Sequence, residues 1–191
     1  MLEHLRPTAA ALALFTLLTG VAYPAAITAV ARLAFSARSA GSLVLRDGAV
    51  VGSALVGQSF SDPGRFWGRP SATTPLPDDA TASTGSNLGP TNPALLDAVR
   101  ARIAALRAAD PGTARPIPVD LVTASASGLD PDISPAAALW QVPRVARARG
   151  LPEERVRALV EARVEPPLLG LFGAPRVNVL RLNLALDRLL P

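Results

Sequence analysis

The chain has 191 residues, 49% of them hydrophobic and 18% charged, with a formal net charge of +4. All nineteen basic residues are arginine, lysine and cysteine are absent, and the one histidine is His4. Arginine stays protonated and cannot act as a base, so this inventory excludes Ser-His and Cys-His nucleophilic catalysis, a Walker A lysine loop and a Cys/His zinc site. Carboxylate chemistry survives, as a glycosidase pair or a hard-cation site, at Asp78-Asp79 or Asp130-Pro131-Asp132. The simpler reading of both pairs is a solvated turn or a helix cap, and no metal site is expected. Aromatic residues make up only 4% of the chain, which leaves few stacking platforms for bases or sugars. "RVARARG" (144–150) is the nearest approach to a basic cluster, and nucleic acid is not an expected partner.

Charge is unevenly spread: residues 1–39 carry three Arg and one acid, 40–135 seven Arg and nine acids, 136–191 nine Arg and five acids. From Pro7 to Ala31 there is no charged residue. Twenty-five residues at roughly 1.5 Å each span about 37 Å as a helix, enough to cross ~30 Å of hydrocarbon. Gly20 and Pro24 interrupt the run, and Tyr23 sits near its middle rather than at an interface. A membrane anchor over 1–36 is the expected reading; a cleaved signal peptide and a buried core helix are the alternatives. Arg6 precedes the run and Arg32 and Arg38 follow it, so the positive-inside count chooses no side.

After the joint "SARSAGS" (36–42), "SLVLRDGAVVGSALVG" (42–57) reads as a β-hairpin around Asp47-Gly48. Residues 58–91 form a long Gly/Pro/Ser/Thr-rich loop of the kind that is functional or packed down. Asn92 and Pro93 start a helix whose face is Leu95, Leu96, Val99, Ile103 and Leu106, closed by Gly112. "VDLVTA" (119–124) is a short buried strand candidate. Ser134-Pro135 opens a helix expected to break or bend at Pro143. A second helix covers 151–164, with Pro152, Glu153 and Glu154 at its start. In "NVLRLNLALDRLL" (178–190), Val179, Leu182, Leu186 and Leu189 share a helical stripe, although the alternation also suits a strand.

The stretch "TASASGLDPDISP" (123–135) gathers Ser125, Ser127 and Ser134 with Asp130 and Asp132, yet no base in the chain could activate its hydroxyls. It therefore reads as structure or as a docking surface. Three function classes stay open. They are an accessory subunit, an exported hydrolase or ligand-binding domain behind a cleaved signal peptide that uses Asp78, Asp79, Asp130 or Asp132, and a nucleotide-binding module.

The blocks "GQSFSDPGRFWGRPSAT" (57–73), "GSNLGPTNP" (85–93), "DLVTASASGLDPDISPAAA" (120–138), "QVPRVARARGL" (141–151) and "PRVNVLRLNLALD" (175–187) together resemble the C-subunit family of Kdp-type potassium-transporting P-type ATPases. The resemblance implies an α+β architecture: one transmembrane helix (1–36), then a small mixed α/β extracytoplasmic domain (37–191) with a β-hairpin and several helices. It implies a non-catalytic accessory subunit in the bacterial inner membrane, whose partners are a potassium-channel-like subunit, a P-type ATPase subunit and the lipid bilayer. Its role would be to stabilise that assembly and, as a catalytic chaperone, to raise the ATPase subunit's affinity for ATP. No cofactor of its own is implied; ATP is met through the complex. Partner contacts are expected at Phe66, Trp67, Arg69, Asn87, Pro90 and Asn92, although Phe66 and Trp67 also suit a core and Asn92 a helix cap. The nucleotide positions that the resemblance implies are Ser125, Ser127, Gly128 and Gln141. Two residues depart from the family pattern Ser-Gly-Ser-Gly-Leu-Asp-Pro-His. Ala126 brings a methyl where close backbone approach is needed, and Asp132 brings negative charge near where a phosphate would lie.

Overall fold

The computed structural model describes residues 2–189. The chain divides into two compact units, Met1–Leu43 and Val44–Pro191.

The first unit is built on one long helical rod. Helix α1 (Leu2–Leu17) passes into a single wide π turn, Leu18–Ala22, and on into α2 (Tyr23–Ala34). Pro24 explains the turn. It has no N–H for the carbonyl four residues back, at Gly20, and its ring crowds that carbonyl, so the chain widens by one residue there and the Tyr23 N–H reaches back to Leu18 O. Thr19 Oγ1 adds a bond to Phe15 O at 2.6 Å. The interruption expected at Gly20 and Pro24 is thus absorbed without ending the helix. Within the 31 residues from His4 to Ala34 an 18-residue window reaches a mean hydropathy of 1.8, and none of it is buried. At ~1.5 Å per residue the 31 residues span about 46 Å, long enough to cross a bilayer. A short α3 (Ser36–Ser39) follows.

In the second unit, β1 (Leu43–Arg46) and β2 (Ala49–Ser53) pair around Asp47 (φ 52°) and Gly48 (φ 80°), the doubly positive turn that Asp-Gly predicts. Helix α4 (Pro93–Ala109) begins as expected, with Asn92 Oδ1 accepting from Ala94 N at 3.0 Å. Only Leu106 of its apolar face is buried, and Leu96 stays 47% exposed.

Two expectations are corrected here. "VDLVTA" is no strand: Val119–Leu121 is a 3₁₀ turn, closed by Thr123 N and Thr123 Oγ1 both donating to Val119 O. Pro116 and Pro118 remove ladder donors just upstream, so local bonding wins. The strand lies later, where β3 (Asp132–Ile133) pairs antiparallel with β4 (Val177–Asn178). Helix α5 (Pro135–Arg149) also runs unbroken through Pro143. A mid-helix proline costs about 3 kcal/mol. That cost is outweighed because α5 is the axis of the core, with Ala137, Ala138, Trp140, Val142, Val145 and Ala146 buried and each buried valine worth about 1.5–3 kcal/mol. The Trp140 carbonyl, in the turn the proline weakens, also accepts from Arg115 at 2.7 Å. Gly150 ends α5 in the left-handed region (φ 64°), with Leu151 N bonded to Ala146 O at 2.9 Å.

Helix α6 (Glu153–Glu161) packs Val156 and Val160 against α5. Between α6 and β4 the chain makes a narrow arm, bridged at Glu165/Arg176 and Leu168/Phe172 and turning at Leu169 and Gly170. Asn178 then caps α7 (Val179–Leu186) by accepting from Arg181 N at 3.1 Å, which settles the helix-or-strand ambiguity of this segment in favour of a helix. Val179, Leu182 and Leu186 are buried there, and Leu189 lies against the same core.

Candidate functional site

The long loop is held to the core by side-chain amides acting as a strand would. Asn183 of α7 accepts from Phe66 N at 2.8 Å and donates to Phe66 O at 2.9 Å. Gln141 of α5 does the same for Trp67, at 2.8 and 3.0 Å. Both amides are buried, and each satisfies a peptide donor and acceptor that would otherwise be stranded. Phe66, expected at a partner surface, is fully buried in the core, and Gln141, implied as a nucleotide residue, has its amide engaged by Trp67 and Arg144.

Arg144 completes this layer. Its guanidinium lies 4.5 Å from the Trp67 ring centre, donates to Gln141 Oε1 at 2.6 Å and donates to the Pro63 carbonyl. Burial lowers its pKa to about 10, with the negative charges of Asp110 and Asp62 acting the other way. The tryptophan face and two oxygens thus hold a buried cation that, among the described residues, has no carboxylate in direct contact.

The serine loop meets Arg69 at the Ala124 carbonyl. Ser125 Oγ accepts from Gly128 N (2.9 Å), and Ser127 Oγ accepts from Leu129 N (3.1 Å). The carbonyls point the other way: Ser127 O accepts from Thr84 N (3.0 Å), Gly128 O from Ser71 Oγ (2.7 Å) and Leu129 O from Gly57 N (2.8 Å). Gly128 has φ +67°, and a Cβ there would lie 2.6 Å from Thr84 O; at Gly85 a Cβ would lie 2.8 Å from Ala126 O. The loop and the stretch 71–85 therefore meet backbone to backbone, and the loop's amides are turned inward onto its own hydroxyls. Ser125 is buried, while Ala126 and Ser127 are exposed.

Carboxylates fasten the rest. Asp130 pairs with Arg69 at 3.1 Å, and Arg69 also donates to Ala124 O at 3.2 Å. Asp132 accepts from Asn178 Nδ2 (3.1 Å) and pairs with Arg176 (3.2 Å); burial nevertheless raises its pKa. Asp120 Oδ2 accepts from Ser134 N at 2.7 Å, while Ser134 caps α5. Arg69, Asp120, Asp130, Asp132, Ser134 and Arg176 surround an open cavity of about 560 Å³. Asp78 accepts from Ser59 at 2.7 Å, with its pKa raised by burial, and Asp79 is held below the usual carboxylate range by Thr81. Among the described residues no group of three or more His, Cys, Asp or Glu could hold a metal ion.

Of the expected surface residues, the structure brings Arg69 to the serine loop and leaves Asn87 (φ 51°), Pro90 and Asn92 exposed on the run into α4. Trp67 is half-buried. Sequence reasoning missed Asn183, Arg144 and Asp187. The available signal was polarity in the wrong place, since Asn183 and Arg144 interrupt apolar helix faces. Asp187 gathers Arg46 (2.8 Å), Arg65 (3.2 Å) and Arg149 (2.8 Å).

These observations define a small mixed α/β unit, preceded by a helix long and apolar enough to cross a membrane, whose loops are stapled into a fixed surface. The family model described as "KdpC: K+-transporting ATPase, c chain" matches residues 5–188, and the chain belongs to that family. It is 67% identical over 191 residues to the "Potassium-transporting ATPase KdpC subunit" of Polaromonas naphthalenivorans (strain CJ2), covering 100% of this chain and 97% of that protein. Proteins of the same description from Variovorax paradoxus (strain S110) and Sorangium cellulosum (strain So ce56) are each 64% identical. The first alignment covers 96% of this chain and 95% of the relative, the second 98% of each.

Proposed function

We propose that the chain is a non-catalytic accessory subunit of a high-affinity, ATP-driven potassium uptake complex of the bacterial inner membrane. Residues 1–36 anchor it and residues 37–191 stand on the extracytoplasmic side. It stabilises the assembly of a channel-like subunit with a P-type ATPase subunit and acts as a catalytic chaperone that raises the ATPase subunit's affinity for ATP. The observation that carries this reading is the family match across residues 5–188. The stapled loops support it, because a surface whose backbone groups are already bonded is ready to dock without an ordering cost.

On this reading Arg69, Asn87, Pro90, Asn92 and the edge of Trp67 meet the partner subunits, and Phe66 and Gln141 brace that surface from beneath. Any contact with ATP falls to Ser125, Ser127 and Gly128 within the complex. The test is affinity purification of the tagged full-length chain from detergent-solubilised membranes, followed by ATPase assays with and without it. Recovery of two larger subunits, and a rise in the KM for ATP when the chain is removed, are the expected results. Elution of the chain by itself, or an unchanged KM, would refute the proposal.

A further inference from the structure

The arm between α6 and β4 ends in the most exposed apolar group of the second unit. Leu168 is 67% exposed, Leu169 81%, Leu171 82% and Phe172 64%. Residues 166–175, "PPLLGLFGAP", contain no charge. Among the described residues the core does not use these side chains, and large apolar groups clustered on a projecting tip mark a contact with another phase or molecule.

We propose that this arm dips into the membrane interface, with its apolar tip among the acyl chains and an arginine collar on anionic headgroups. Three features favour lipid over a protein groove. First, four of the seven N–H groups of residues 166–175 are bonded within the arm: Leu168 N to Phe172 O (2.9 Å), Phe172 N to Leu168 O (3.0 Å), Gly170 N to Pro167 O (3.0 Å) and Leu171 N to Leu168 O (3.1 Å). Pro166, Pro167 and Pro175 have no N–H at all. Hydrocarbon demands this economy of free donors, whereas a protein partner would reward exposed ones.

Second, exposed Arg163, Arg176 and Arg181 surround the arm's base against Glu165 and Asp132. Among the described residues Arg181 is engaged through one nitrogen, and each guanidinium has five N–H donors to share with phosphate oxygens. An apolar tip above a basic rim is the pattern of an element that lies in a bilayer interface. Third, about five residues of β-arm reach roughly 15 Å, enough for the ~5–10 Å immersion of interfacial elements. On the membrane reading above, the chain's own apolar helix tethers the second unit to a bilayer.

The chain has no native cysteine, so a single label can report on the arm. Ala174→Cys, carrying an environment-sensitive fluorophore, leaves the apolar tip intact. The full-length protein is placed in nanodiscs of phosphatidylcholine and phosphatidylglycerol, with or without lipid bearing a nitroxide high on its acyl chain. Loss of emission with nitroxide lipid is expected at 174, together with its recovery when Leu169→Glu and Leu171→Glu are added. The same label at Ala101→Cys on α4 should be unaffected. Unquenched emission at 174 would overturn the proposal. So would blue-shifted but unquenched emission, which would place the arm against a second copy or a partner subunit. Quenching that survives the double glutamate change would overturn it too. Replacing phosphatidylglycerol by phosphatidylcholine should weaken the quenching, and equal quenching would remove the arginine collar from the account. The inference rests on the membrane reading above but not on the accessory role. Co-elution of protein with disc lipid checks that reading separately, and failure to incorporate overturns both.

Discussion

Asn183 and Phe66, 117 residues apart, exchange a pair of hydrogen bonds at 2.8 and 2.9 Å inside the core. A side-chain amide here stands where a neighbouring strand would be, and it fixes the middle of a loop that has no ladder of its own. Asn183→Leu keeps the branching at Cγ but strands both the Phe66 N–H and C=O, at about 1–3 kcal/mol each. A loss of roughly 2–4 kcal/mol in urea unfolding of the detergent-solubilised protein is expected. A loss below ~0.5 kcal/mol, the ordinary range of surface changes, would show that the clamp is dispensable.

Asp187 supplies the pH dependence. Burial pushes its carboxyl up, but the hydrogen bond from Arg149, the charge and hydrogen bonds of Arg65 and the bond from Arg46 together hold it below the usual carboxylate range. A depressed native pKa contributes stability that is fully present above the unfolded value, ~3.9, and is lost as pH falls through the native one. Asp187→Asn should therefore cost about 2 kcal/mol at pH 7, discounted for the partly exposed arginines. The curves of parent and variant should converge as pH falls through the lowered native value. Parallel curves across that range would contradict the assignment.

At Gly85 the prediction concerns surface shape. A methyl there meets the Ala126 carbonyl at 2.8 Å, so Gly85→Ala must pry the 83–85 segment from the serine loop. Destabilisation of about 1–3 kcal/mol, the range for overpacking, is expected by denaturant titration. Co-purification of the partner subunits should fall in parallel, whereas membrane insertion of the chain should be unchanged in a carbonate wash.

Pro143→Ala tests the opposite sign. The alanine restores an N–H for the Leu139 carbonyl and relieves ring crowding, worth up to ~3 kcal/mol in a helix interior. A higher urea midpoint with an unchanged slope is expected. A lower midpoint would mean that the ring's own packing in the core outweighs the missing bond.

Features governed by chemistry within four or five residues were readable from the sequence. Asp47-Gly48 encodes its own turn, Asn92-Pro93 its own helix start, and Gly150 its own stop. What escaped depends on residues far apart in the chain. Asp132 and Ile133 become a strand only because Val177 and Asn178 arrive beside them, and two residues carry no period to read. Pro143 reads as a breaker because the burial that overrides it is invisible in its neighbours. Around the site, the meeting of Arg69 with the serine loop was not encoded locally either. Phe66, expected at a partner surface, and Gln141, implied for a nucleotide, meet partners distant in the chain, Asn183 and Trp67, that their neighbours do not announce. The exposure of the arm at 166–175 emerges only once the core has closed without its side chains.

The wide turn at Leu18–Ala22 has its own consequence for the apolar rod. One surplus residue in a turn offsets everything after it by about 100° around the axis. A stripe followed from Leu5 through Leu12 does not continue straight into Ile27 and Val30; it resumes on another side. Neighbouring helices that lie along this rod must therefore grip its two halves on different faces, and a substitution scan here will show two phases rather than a single periodicity.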